Sequence, residues 1–166
     1  MNSLLPDDIA ILACEDVAPD FHARYSCRGK EYIYLIHNGD IKDPFLYRRA
    51  YHYPYRMDIE RMTEAAEHLR GTHDFSSFCG TSGLKDDNTR TINDIGIRKD
   101  GDMAILTVSA DGFLYNMVRI ICGTLLFVSE GKLSPDDIQT ILDAKNRDLA
   151  GPTAPPDGLY LNRVFY

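Results

Sequence analysis

Residues 112–128, GFLYNMVRIICGTLLFV, are apolar almost throughout and include a single charged residue, Arg119. The segment is long enough for about four helical turns and predicts a core helix. A buried guanidinium keeps its proton, so it needs an anionic or strongly polar partner. The small and polar residues share one stripe at helical spacing: Gly112, Asn116, Arg119 and Gly123. This stripe predicts a cleft that holds something anionic.

Arg119 also has a structural interpretation. A single arginine in an apolar helix is often an ion-pair partner, or extends its guanidinium to the surface while its stem stays buried. The helix alone favours neither interpretation, and the choice depends on other segments of the chain.

Length and composition indicate one folded domain, residues 1–166. Hydrophobic residues make up 44% of the chain, and the sequence contains no secretory signal and no apolar run that would span a bilayer. The cysteines form no CxxC pair and have no histidine at metal-ligand spacing, so no metal site and no disulfide framework are predicted. We interpret them as free thiols of a cytoplasmic protein: Cys14, Cys27, Cys79 and Cys122.

The net charge of −7 argues mildly against nucleic acid as a partner of this chain alone. The basic residues are nevertheless clustered, at 24–30, 48–56 and 98–99, and much of the acid lies elsewhere in the sequence. A basic face on an acidic domain therefore stays open, beside the simpler interpretation of mixed, solvated charges.

Hydrophobic periodicity and turn signals predict strands alternating with helices. A hairpin is predicted around Asp100-Gly101, and helices are predicted after the cap residues Asp58 and Ser134. The predicted strands are 9–17, 30–36, 91–98, 103–110 and 159–165, and residues 47–55 form a further extended piece; 72–78 form a turn or brief helix. This order predicts an α+β fold, with a largely antiparallel sheet and helices packed on one face.

The strand KEYIYLI places Tyr32 and Tyr34 on the same sheet face. Adjacent aromatic rings on an exposed face could stack on nucleic-acid bases. Cross-strand packing is the alternative role for the two rings, and the pattern by itself favours packing.

Four segments together resemble the tRNA pseudouridine synthase A family, whose members isomerise uridines in the anticodon arm. They are FHARYSCRGKEYIYLI, then HDFSSF followed by TRTI, then FLYNMVRIICG, and finally DGLYLNRVFY. They occur in the family's order across nearly the whole chain. The resemblance implies a pseudouridine synthase-like fold, tRNA as substrate, a homodimer, and neither cofactor nor metal.

The resemblance also implies roles for individual residues. Tyr32 matches the family tyrosine that stacks against the target uracil, and Arg119 matches the arginine that pairs with the catalytic aspartate. Leu159 matches a hydrophobic residue that closes the pocket. His22 and Arg24, in FHAR, resemble RNA-facing or cleft residues.

The family's nucleophilic aspartate lies in a Gly-Arg-Thr-Asp motif, which this sequence does not contain. We therefore expect the chain to represent the C-terminal half of such an enzyme and to be inactive without the N-terminal half. The alternatives are a stand-alone RNA-binding module and an oligomerisation module, both without catalysis.

Overall fold

The computed structural model describes all 166 residues. Six strands and three α-helices account for its regular structure. The strands are β1 (Gly29–His37), β2 (Tyr51–His52), β3 (Gly71–Asp74), β4 (Thr89–Asp100), β5 (Met103–Ala110) and β6 (Leu159–Phe165). The helices are α1 (Ile59–Glu67), α2 (Met117–Ser129) and α3 (Asp137–Ala144).

The strands form one sheet in the order β2-β1-β5-β4-β3, and β6 also pairs with β1. Only the short β1–β2 pairing is parallel. Strands β6 and β2 share one edge of β1, because β6 pairs with its first part and β2 pairs with Ile36 and His37. The hairpin predicted at Asp100-Gly101 is confirmed, with Gly101 at φ +53 in the turn between β4 and β5.

The core lies between the helices and one face of the sheet. Side chains along β5 alternate between buried and half-buried, as expected for a sheet that is covered on one face. Tyr34 and Ile36 of β1 and ten residues of α2 belong to the buried set. The predicted α+β class with a largely antiparallel sheet is therefore confirmed. None of the three helices has the length and apolar composition that crossing a bilayer requires.

The central helix is shorter than its apolar run. Helix α2 begins at Met117, because Asn116 adopts a left-handed conformation with φ +61 that interrupts helical geometry. Residues 112–115 lie outside the helix, so Gly112 does not share a stripe with Arg119, and that part of the prediction is wrong. Asn116 still adjoins Arg119, from the N-cap position of the helix.

The strand predicted for residues 9–17 is wrong. The segment has no regular secondary structure, and Leu12 is 97% exposed. The amide side chain of Asn2 bonds both backbone groups of Ile11, at 2.9 and 3.0 Å, which is a local substitute for a strand partner. A strand needs a neighbouring strand for its hydrogen bonds, and none pairs with this run.

The remaining predictions differ from the structure mainly in their boundaries. Residues 72–78 contain most of strand β3 and a short helical turn at Ser76–Phe78, and the extended piece 47–55 pairs only over Tyr51–His52. Ser134 and Asp137 exchange reciprocal capping bonds, at 2.7 and 3.3 Å, at the start of α3. Asp58 caps α1 as predicted, accepting a bond from the Arg61 amide.

Candidate functional site

A cleft of about 240 Å³ opens at the N-terminal end of α2. Strand β1 contributes Lys30 and Tyr32 to its wall, and Leu159 contributes the first residue of β6. The rest of the wall is the segment 113–118, which includes Asn116. The fold therefore brings Tyr32 and Leu159 together although 127 positions separate them in the sequence, and it places them next to the residue that contacts Arg119.

Arg119 is half-buried and does not itself line this cleft, but it bonds Asn116, which does. Its Nη1 donates to Oδ1 of Asn116 at 3.0 Å, and its Nε donates to the carbonyl oxygen of Ala154 at 2.7 Å. Its Nη2 has no hydrogen-bond partner in the chain, and none of the ion pairs in the structure includes this residue. The guanidinium is thus fixed in position by neutral groups while its charge has no carboxylate partner.

The loop that receives Arg119 is held from several directions. The Ala154 amide donates to the Arg119 carbonyl oxygen at 3.1 Å, and the Tyr34 hydroxyl donates to the Pro155 carbonyl oxygen at 2.6 Å. Burial raises the pKa of the Tyr34 phenol, so it stays protonated and can donate. These bonds position the loop that leads into Leu159.

Gly123 allows this loop to approach α2 closely. A Cβ added at Gly123 would lie 1.8 Å from the carbonyl oxygen of Pro152, a distance that no real contact reaches. The Gly151 amide donates to Oγ1 of Thr124 at 2.9 Å, one residue further along the helix. Gly123, a small residue of the predicted stripe, therefore allows close contact between α2 and the loop that binds Arg119.

The two tyrosines of β1 have different environments. Tyr32 is half-buried, lines the cleft and packs edge-to-face against Phe113, with ring centroids 5.0 Å apart. Tyr34 is fully buried in the core. The prediction that both rings are exposed for stacking is therefore wrong for Tyr34, whose ring packs in the core as the alternative interpretation expected. Only Tyr32 is accessible from the cleft.

His22 and Arg24 do not line the cleft. They lie in an exposed loop before β1, where the His22 Nδ1 accepts the backbone amides of Arg24 and Tyr25 at 3.1 and 3.3 Å. Phe21 in this loop packs against Tyr166, beyond the last residue of β6. Leu159 is at the other end of β6. The structure therefore separates His22 and Arg24 from the other predicted site residues.

Lys30 and Asn116 were not among the predicted site residues, although both line the cleft. The basic cluster at 24–30 and the polar position in the helix segment were the signals for them. The carbonyl of Ala154 had no signal, because a backbone acceptor has no side chain by which a sequence could identify it.

A larger cleft, of about 470 Å³, is lined in part by Pro155 and Asp157 of the loop before β6. Its charged and imidazole groups are mixed: His37, Lys42, Asp43, Arg48, His52 and Asp157. It contains none of the predicted site residues. No group of three His, Cys, Asp or Glu side chains in the structure is arranged to hold a metal ion.

Comparison with known proteins gives one consistent result. A family model described as tRNA pseudouridine synthase matches residues 65–166. The tRNA pseudouridine synthase A of Bacillus licheniformis is 51% identical over all 166 residues, a match that covers 67% of that protein. The proteins of the same name from Bacillus subtilis and Thermoanaerobacter sp. are 47% and 46% identical, with 67% and 68% of each covered.

Proposed function

Because the chain belongs to the tRNA pseudouridine synthase family, we propose that its cleft forms one side of the site in which a tRNA uridine is converted to pseudouridine. This isomerisation breaks the N1–C1′ bond and forms a C5–C1′ bond. The uracil loses a proton from C5 and gains one at N1, so the reaction consumes no co-reactant. The uridine must leave the base stack to reach such a site.

The observation that supports this proposal most directly is the state of Arg119. Its guanidinium is fixed by Ala154 and by Asn116, a residue of the cleft wall, and it has no carboxylate partner in the chain. A nearby cation lowers the pKa of a carboxylate and keeps it ionised. Arg119 would therefore orient the nucleophilic aspartate and hold it in its charged form.

Tyr32 and Leu159 supply the walls of the proposed site. The exposed part of the Tyr32 ring would stack against the uracil while the base turns over, and Phe113 supports this ring from its edge. Leu159 would exclude water beside it. His22 and Arg24, in the exposed loop, would contact the tRNA outside the cleft.

The aspartate itself is proposed to come from a Gly-Arg-Thr-Asp segment outside these 166 residues, in an N-terminal half of the same enzyme. We further propose that residues 1–166 form one C-terminal domain, that the complete enzyme is a homodimer, and that it acts in the cytoplasm. Size-exclusion chromatography with light scattering would test the homodimer.

Complementation tests the assignment of activity. The part of the Bacillus licheniformis protein that lies outside the matched region is fused ahead of Met1, and the product is incubated with tRNA tritiated at C5 of uridine. Release of tritium is expected from the fusion, because C5 loses its proton in the reaction. The isolated chain is expected to release none.

The alternatives make different predictions in the same assay. A fusion that folds but releases no tritium would favour a binding or oligomerisation module without catalysis. Turnover by the isolated chain would show that the nucleophile lies within these 166 residues, and the proposed division of labour would be wrong.

A further inference from the structure

A cleft of about 340 Å³ adjoins the cleft at the start of α2 and has no role in the proposed reaction. These are called the second cleft and the first cleft. The two clefts share the wall formed by residues 113–115, and Tyr115 faces both of them. Lys85 and Arg90 line the second cleft. The two clefts therefore lie next to each other along residues 113–115, and together they are called the trough, with Tyr32 in the first cleft and the two cations in the second.

The charge of this trough differs from the charge of the chain. The sequence has 25 acidic and 18 basic residues, yet no aspartate or glutamate lines either cleft. Lys30, Lys85 and Arg90 all do. The carboxylates of Asp87 and Asp111 each accept a backbone amide, from Thr89 and Thr91.

Neither cation of the second cleft has a carboxylate within ion-pair distance. No ion pair includes Lys85 or Arg90. The Arg90 side chain crosses over Gly112, where an added Cβ would lie 3.3 Å from Nε, and one of its nitrogens donates to the Thr89 carbonyl oxygen. Its remaining donors are free to bind an anion from solution.

Tyr115 is an exposed ring with a fixed position. The side chain is 57% exposed, and its carbonyl oxygen accepts the Gly80 amide at 2.9 Å. A Cβ added at Gly83 would lie 2.2 Å from the Tyr115 Cβ, and one added at Gly80 would lie 2.7 Å from its Cδ1. The glycines thus let the loop pack directly against the ring, which leaves the remainder of the ring facing the trough.

We propose that this second cleft is a nucleotide subsite, in which a base next to the target uridine stacks on Tyr115 while its phosphate binds Lys85 and Arg90. Every base has a π-face, so such stacking tolerates sequence variation. Paired lysine and arginine contacts to phosphate would fix the register of the RNA without reading its sequence. The subsite rests on the proposed function, because it is defined relative to the uridine in the first cleft.

RNA binding by the 166-residue chain tests the subsite. The probe is a fluorescein-labelled RNA hairpin with the sequence of a tRNA anticodon arm, titrated by fluorescence anisotropy at several salt concentrations. Tyr115→Ala is expected to weaken binding about tenfold. Tyr115→Phe keeps the ring and is expected to restore binding. Tyr55→Ala, at another exposed tyrosine, is the matched control.

The two cations are tested through the salt dependence. Lys85→Gln and Arg90→Gln are each expected to reduce the slope of log K against log salt by about 1, since one phosphate contact is lost. Arg98→Gln makes the same change about 27 Å away, near the other end of β4, and is expected to leave the slope unaltered.

A hairpin with 2-aminopurine beside the target uridine, on either side in turn, tests the stacking directly. Its fluorescence is expected to be quenched by the wild-type chain and by Tyr115→Phe, but not by Tyr115→Ala. The subsite is overturned if Tyr115→Ala quenches and binds like the wild type, if Arg90→Gln behaves like Arg98→Gln, or if the wild-type chain does not bind the hairpin. Turnover by the fusion protein is scored separately, so loss of the subsite alone would leave the proposed reaction standing.

Discussion

Two apolar segments of this chain have opposite fates in the structure. Residues 9–17 and residues 112–128 both have the hydrophobic character of a core element. The second segment supplies helix α2, in which ten residues are buried, whereas the first has no regular structure and leaves Leu12 97% exposed. Apolar character was therefore sufficient to identify a core element in only one of the two segments.

The difference follows from where each element finds its hydrogen bonds. A helix satisfies its backbone amides and carbonyls within the segment itself, four residues apart. A strand depends on a neighbour that other parts of the chain must supply. Within these 166 residues no strand of the sheet pairs with residues 9–17, so the segment lacks the neighbour that a strand requires.

The largest expected effect concerns the function that we assign to the apolar helix. Arg119→Gln in the fusion protein should lower pseudouridine formation about a hundredfold or more, since it removes a fixed charge from a partly dry site. Arg98→Gln, with the same loss of charge on an exposed strand position, should retain the wild-type rate. Equal rates for the two variants in the tritium assay would mean that Arg119 serves only to fix the loop.

Truncation of one leucine in each segment tests the comparison itself. Leu125→Ala, at a fully buried position of α2, should lower the free energy of unfolding by about 2–5 kcal/mol. Leu12→Ala should change it by less than about 0.5 kcal/mol, because this side chain buries nothing. Urea denaturation measures both. A comparable loss in Leu12→Ala would contradict the exposed state of residues 9–17.

A single added methyl group tests how closely the loop packs on α2. Gly123→Ala should destabilise the chain by about 1–3 kcal/mol or more, because the new Cβ overlaps the Pro152 carbonyl oxygen. Gly96→Ala is the control, since nothing lies within 4 Å of its added Cβ. Thermal unfolding of the two variants should separate them clearly; if they coincide, the loop is not fixed against the helix.

The smallest expected effect depends on pH and involves the residue at the end of α2. Lys132 and the Tyr53 hydroxyl, which donates at 2.6 Å, hold the pKa of Glu130 below its ordinary value of 4.5. A depressed carboxylate pKa contributes stability above about pH 4.5, and this contribution is lost as the pH falls through the folded-state pKa. Glu130→Gln should therefore cost about 1 kcal/mol at pH 7 and progressively less below pH 4.5.

Unfolding curves of wild type and Glu130→Gln at a series of pH values measure this difference. Ser3→Ala is a suitable control, because Ser3 is exposed and makes no side-chain hydrogen bond. If the difference in free energy of unfolding between wild type and Glu130→Gln stayed constant from pH 7 to pH 3, the ionised carboxylate would contribute nothing beyond packing.

Much of the fold was predictable because its signals are local. The turn at Asp100-Gly101 and the cap at Asp58 each depend on residues close together in the sequence, and both occur as predicted. The start of α2 could not be predicted, because the five apolar or neutral residues before Met117 fit a helix as well as a loop. The left-handed backbone of Asn116 decided that boundary.

The candidate site was predictable in part. Tyr32 and Leu159, for which the resemblance implied roles in the site, line one cleft, whereas Tyr115 was assigned to a helix and so not recognised as an exposed ring. His22 and Arg24 were placed in the site only by their motif, and distance along β6 separates them from it.

The sequence by itself determined that a helix containing one arginine lies at the centre of this protein, and that the chain resembles a family of RNA-modifying enzymes. Only the tertiary structure decided that Arg119 would bind a backbone carbonyl 35 residues away, that Tyr34 would be buried while Tyr32 faced a cleft, and that residues 9–17 would form no strand. The physical reason is the range of the interactions, because helices and turns are specified by neighbouring residues, whereas clefts and strand pairs form between segments that only folding brings together.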